Sequence, residues 1–155
     1  MIMLLNIRTF RRAGHKAGFT LLELMVVIVI LGLLAAIVAP RIIGRADEAR
    51  VVEAKVQIQN LETALKLYKL DNGAYPSTEQ GLVSLVEKPT VGVIPRNWRE
   101  HGYLEKKKVP KDPWGFSFVY LSPGLHGDID IVSYGADGMK GGDKLDKDIG
   151  NWDME

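Results

Sequence analysis

Apolar residues run almost unbroken from Phe19 to Ala39, FTLLELMVVIVILGLLAAIVA, with Glu23 the one charged side chain in those 21 positions. Wound as an α-helix at about 1.5 Å per residue, the run covers the roughly 30 Å hydrocarbon core of a bilayer. Few globular cores bury apolar residues as continuous as Leu24 to Val38, so the pattern predicts a membrane-inserted segment. Beyond Pro40 the pattern becomes periodic. Ala54, Ile58, Leu61, Leu65 and Tyr68 recur at spacings of four, three, four and three, one apolar stripe on an amphipathic helix. Asp71-Asn72-Gly73 supplies the stop. The expectation is one long helix, apolar all round over 19–39 and amphipathic over 40–72, with Gly32 and Pro40 as the places to bend or unwind.

The pattern shortens again in a head spanning 73–155. Ser77-Thr78-Glu79-Gln80 reads as a capping box opening a short helix through Leu82, Val83, Leu85 and Val86. An irregular stretch comes next, punctuated by Pro89, Pro95, Pro110 and Pro113, which Trp98 and Tyr103 are expected to pin by packing. Phe116 to Leu121 alternates as a strand with Phe116, Phe118 and Tyr120 on one face. The turn Ser122-Pro123-Gly124-Leu125-His126-Gly127 leads into a second, antiparallel strand over 128–134, and 149–152 adds a third. The fold class is therefore α+β, a long N-terminal helix packed on a small antiparallel sheet.

Composition sharpens this reading through its asymmetry. The 155 residues carry a net charge of only +1, with 46% hydrophobic and 25% charged residues, which excludes a disordered chain and nucleic-acid binding by bulk charge. Residues 1–18 nevertheless hold Arg8, Arg11, Arg12 and Lys16 and no acid. Residues 128–155 hold eight acids against Lys140, Lys144 and Lys147. A basic flank before an apolar run orients a single-pass helix with its N-terminus in the cytoplasm and its head across the membrane. There is no cysteine, hence no disulfide, thiolate metal site or thiol nucleophile. Glu23 then needs explaining. A charged side chain costs about 2.5 to 3.5 kcal/mol at the centre of a bilayer, and no cation lies within a helical turn of it, so its partner is expected outside this helix.

The residues around Glu23 carry a specific resemblance. Lys16-Ala17-Gly18-Phe19-Thr20-Leu21-Leu22-Glu23 resembles the processing motif of type IV pilins and of type II secretion pseudopilins. The resemblance implies that residues 1–18 are a leader removed by a prepilin peptidase, which cuts between Gly18 and Phe19 and methylates the new amino group of Phe19. The α-ammonium so created would neutralise Glu23 of a neighbouring subunit in a homopolymer and set the stagger of packed helices. AYPSTEQGL (74–82), DPWGFSFVYLSPGLHGDIDIVSYGADG (112–138) and DIGNW (148–152) narrow the resemblance to the major pseudopilins of type II secretion. The segment 87–111 is less recognisable, and the leader is longer than many in that family. The disulfide loop usual in type IVa major pilins cannot form here.

That family stabilises its last loop with calcium, so 134–148 is read for Ca2+ ligands. Four carboxylates stand among four glycines between Gly135 and Asp148, hard oxygens on a pliable backbone. The resemblance implicates Asp137 in SYGADG first, then Asp146 and Asp148 before DIGNW, the backbone carbonyl of Tyr134, and Asp143 last. The spacing is not that of an EF-hand. No nucleophile elbow, P-loop, zincin or dinucleotide signature is present, so the chain is expected to be no enzyme. By resemblance it polymerises in the periplasm with minor pseudopilins on an inner-membrane platform and helps to export folded proteins. A type IV or DNA-uptake pilin, or an uncut signal-anchored periplasmic binding module, are the alternatives.

Overall fold

The computed structural model describes residues 18–154. Its elements are, in chain order, α1 (Leu21–Asn72), β1 (Val119–Leu121), β2 (Asp130–Ser133) and β3 (Ile149–Gly150), with 3-10 turns at Leu82–Leu85 and Asn151–Asp153. The chain divides between Arg41 and Ile42 into two compact units. The leader expected over 1–18 lies, apart from Gly18, outside the described residues.

In the first unit, α1 begins at Leu21 and its large apolar side chains from Leu21 to Ile37 are all exposed, from 47% at Val27 to 77% at Leu21. Among the described residues no helix is long and apolar enough to cross a membrane. The described side chains of this unit end at Ile37, two positions before the apolar run of the sequence does. The chain remains helical through Gly32 and Pro40, so neither residue unwinds it.

The second unit has its own core. Ala54, Ile58, Leu61, Leu65 and Tyr68 are at most 4% exposed, and they pack with Leu82, Leu85, Phe118, Tyr120, Ile129, Ile131 and Ile149. The predicted stripe is thus the face that meets the sheet. α1 ends where expected: Gly73, at φ 82°, donates its N–H to the carbonyl of Lys69 at 2.7 Å, a conformation favouring glycine. The three strands lie in the order β1-β2-β3, all antiparallel, with Tyr120 opposite Ile131 and Val132 opposite Gly150.

Two expectations are modified. The capping box forms, since Ser77 N–H donates to Gln80 Oε1 at 3.0 Å and Gln80 N–H to Ser77 Oγ at 3.2 Å. The residues beyond it make only a 3-10 turn, because Gly81 at φ 62° breaks the helical path. Gln80 Nε2 instead donates to the carbonyls of Val91 and Val93, fastening the irregular segment. Phe116 also falls outside β1 and is 42% exposed, while Phe118 and Tyr120 are buried. Trp98 and Tyr103 do pin their loop: Trp98 Nε1 donates to the Ser84 carbonyl, Tyr103 N–H to the Leu85 carbonyl, and the Tyr103 ring packs 5.2 Å from Tyr68.

Candidate functional site

Two regions hold the residues singled out in the sequence. At the start of α1, Gly18 and Phe19 precede the helix in non-helical, exposed backbone, so the peptide bond between them is open to approach. Thr20 is the N-cap. Its Oγ1 accepts the N–H of Glu23 at 3.1 Å, and its own N–H donates to Glu23 Oε2 at 3.5 Å, while Leu24 N–H reaches the Thr20 carbonyl. This reciprocal capping box satisfies donors that the first turn of a helix leaves free. Thr20 was not anticipated, although Thr-x-x-Glu before an apolar run is its signature. Glu23 sits in the exposed first turn, its carboxylate at the end where the helix dipole favours negative charge.

The acidic loop leaves β2 and returns as β3. Ala136 N–H donates to the Leu145 carbonyl at 2.9 Å, which sets 135–136 against 145–146 and closes the loop. Only glycine fits at 135, where φ is 68° and a Cβ would stand 2.6 Å from the Leu145 oxygen. Gly142 approaches the Asp146 carbonyl in the same way. Asp137 Oδ1 accepts the Met139 N–H and Asp148 Oδ1 the Gly141 N–H, so both carboxylates are turned onto their own loop. Asp137 and Asp143 are exposed, whereas Tyr134, Asp146 and Asp148 are partly buried. Lys144 holds φ 57°, an unusual backbone for a long side chain.

The donor set consists of carboxylate and carbonyl oxygens, the chemical type a hard cation takes. The arrangement is looser than a finished site, for among the described residues no three His, Asp or Glu side chains converge to hold a metal. Among those residues the loop aspartates also form no salt bridge with Lys140, Lys144 or Lys147.

The loop's flanks are held by side chains that periodicity does not reveal. Asn151 accepts from Ile131 N–H at 2.8 Å and donates to the Ile129 carbonyl, extending the sheet with an amide. Asp112, 4% exposed, accepts from Trp114 N–H, Phe116 N–H and Ser133 Oγ, the last at 2.6 Å, tying the 112–116 turn to β2.

A long N-terminal helix whose exposed first part leads into a stripe packed on a small antiparallel sheet, preceded by an exposed Gly18-Phe19, defines a pilin-like subunit. Comparison with known proteins narrows the class. Residues 41–152 match the family described as Type II secretion system (T2SS), protein G, and residues 14–39 match the Prokaryotic N-terminal methylation motif. The chain is 56% identical over 139 residues to the type II secretion system core protein G of Pseudomonas aeruginosa, covering 90% of this chain and 96% of that one. It is 53% identical to the core protein G of Vibrio cholerae over 94% of this chain and 97% of that one. Its structure resembles the crystal structure of the major pseudopilin from the type 2 secretion system of enterohaemorrhagic Escherichia coli, with a TM-score of 0.61 and 46% identity over 71% of this chain and 92% of that one. The chain belongs to the protein G family of type II secretion systems, the major pseudopilins. It is a structural subunit of the pseudopilus and not an enzyme.

Proposed function

We propose that the chain is cut between Gly18 and Phe19, methylated at Phe19, and polymerised from the inner membrane into a periplasmic fibre that moves folded proteins toward the outer membrane. The observation that carries this reading is the surface of α1 between Leu21 and Ile37, where thirteen large apolar side chains stand exposed. At roughly 1.5 to 3 kcal/mol for each such side chain covered, water is not their place. A bilayer covers them first, with Arg8, Arg11, Arg12 and Lys16 on the cytoplasmic side. Neighbouring copies cover them next. On the far side of the helix from the core stripe, Val52, Val56, Leu67 and Leu70 also remain exposed, which supports contact with other copies along the second half.

Exchange of lipid for helix gives Leu, Ile and Val little, because lipid tails are as apolar as they are. The polar group decides. Among the described residues, the Glu23 carboxylate has only the Thr20 N–H as a near partner. Cutting at Gly18 creates a cation at Phe19, and pairing it with Glu23 of the next subunit removes the cost of a carboxylate in an apolar core. This pairing gives each added subunit a fixed axial position.

In the acidic loop, Asp137, Asp146, Asp148 and the Tyr134 carbonyl would hold calcium, with Asp143 a more peripheral ligand. The bound ion would supply positive charge to a loop that has no internal ion pair among its described residues. The chain's own part is the closure at Ala136 and Leu145, which brings the two ligand-bearing arms side by side.

The fibre reading is tested by producing the chain with its peptidase and secretion platform and inspecting sheared fibres by electron microscopy. Wild type gives fibres and Glu23→Ala gives none while still being cut. Fibres of wild-type length from Glu23→Ala would overturn the register argument.

A further inference from the structure

Asn72, the last residue of α1, precedes Gly73 in the one Asn-Gly pair of the sequence. Such a pair is reactive because glycine lacks a Cβ and its backbone nitrogen can swing onto the preceding side chain. The deprotonated Gly73 nitrogen attacks Asn72 Cγ, the Cγ–Nδ2 bond breaks and ammonia leaves, closing a succinimide. Water then opens either carbonyl of the ring, giving aspartate or isoaspartate at position 72.

Three features of the second unit oppose this path. The attacking nitrogen is occupied, since Gly73 N–H donates to the Lys69 carbonyl at 2.7 Å. The leaving amide is held, since Nδ2 donates to the Tyr68 carbonyl at 3.0 Å and to the Tyr103 hydroxyl at 2.8 Å. The carbonyl oxygen Oδ1 is buried with no hydrogen-bond partner among the described residues, so none of them stabilises the negative charge that attack at Cγ would place on it.

We propose that Asn72–Gly73 is a latent deamidation site that the fold keeps closed, with Tyr103 as the positioning residue of the lock. Tyr103 comes from the 96–104 segment, anchored at the Leu85 carbonyl and by the Arg99–Asp71 ion pair. The lock therefore exists only after that segment has docked on the end of α1. A chain that lingers with the segment undocked loses its amide, and the carboxylate that replaces it has no N–H to return to Tyr68. Deamidation thus marks, irreversibly, subunits that failed to complete the head.

The test uses the full chain purified in detergent and incubated at mildly alkaline pH, with peptide mass spectrometry reading the NH2-to-OH mass change at Asn72. Isomerisation at Asp137-Gly138 leaves mass unchanged and does not interfere. The folded chain is expected to deamidate at least roughly tenfold more slowly than the same chain in urea, and Tyr103→Phe to recover up to about tenfold, the factor one hydrogen bond supplies. Equal rates in the folded and urea-unfolded wild type overturn the proposal. So does a Tyr103→Phe rate equal to wild type while near-ultraviolet circular dichroism shows the variant folded. Should that variant fail to fold, the wild-type comparison decides alone.

Discussion

The N–H of Glu23 donates to Thr20 Oγ1 at 3.1 Å, and the N–H of Thr20 donates back to Glu23 Oε2 at 3.5 Å, so the residue proposed to direct assembly is also half of a helix cap. The two roles separate by substitution. Glutamine at an N3 position keeps a capping box, whereas alanine removes it. Glu23→Gln is therefore expected to retain the cap and lose the charge, and Glu23→Ala to lose both. If charge pairing sets the register, neither variant grows fibres, as electron microscopy of sheared fractions would read. Fibres from Glu23→Gln alone would assign the effect to the cap.

Calcium is expected to raise the melting temperature of the full chain in detergent, monitored by circular dichroism of the tryptophans. At a hundredfold excess over Kd, binding contributes about 2.7 kcal/mol, which is several degrees for a domain of this size. Asp137→Asn and Asp148→Asn should abolish the response to a chelator, while Asp143→Asn, on the exposed outer limb of the loop, should keep most of it. Gly135→Ala should abolish it without touching a carboxylate, because its Cβ would collide with the Leu145 oxygen. A chelator that leaves the wild-type melting temperature unchanged would reduce the loop to solvated surface.

Acid sensitivity should reside in Asp130. The residue is 1% exposed, and burial alone would raise its pKa. Hydrogen bonds from the His126 ring and from the N–H groups of Leu125 and His126 outweigh that and hold the value below the usual 3.8. A depressed folded value contributes stability that is present above pH 3.8 and disappears as pH falls through the lower folded value. Asp130→Asn should thus be less stable than wild type at neutral pH, with the gap in denaturant midpoint narrowing below pH 3.8. A gap that stays constant down to acid unfolding would contradict this.

Tyr120 acts at the other end of the scale. Its hydroxyl donates to the Pro76 carbonyl at 2.8 Å, and burial pushes its pKa from 10.0 to about 12. The neutral phenol is the folded form, so its contribution is complete below pH 10.0 and lost as pH rises through about 12. Tyr120→Phe should cost about 1 kcal/mol at neutral pH and flatten the loss of stability on that alkaline limb. Ultraviolet titration of phenolate against unfolding would check it.

Much of this was legible because it is periodic or local. The stripe from Ala54 to Tyr68 keeps to the 3.6-residue period and became the core face. Asp71-Asn72-Gly73 is a local stop signal and ended the helix in place. The family phrases led to the right family, since they stand in both the methylation motif and the head. The features that escaped depend on partners distant in sequence. Asn151 bridges to Ile129 and Ile131, Asp112 receives Ser133, and the His126 ring stacks 3.6 Å from Trp152. No spacing rule announces such pairs. Thr20 is different: Thr20-x-x-Glu23 before an apolar run is a capping-box signature in its own right, and it overlaps the residues of the processing motif. The acidic loop shows the limit of composition, which supplied the oxygens and not their convergence.

The most direct measurement is the intact mass and N-terminal fragmentation of the chain recovered from native membranes. The expected polypeptide begins at N-methylated Phe19, with residues 1–18 absent. A chain that still begins at Met1 in cells with an active prepilin peptidase would contradict prepilin processing, because Glu23 would then have no α-ammonium to meet.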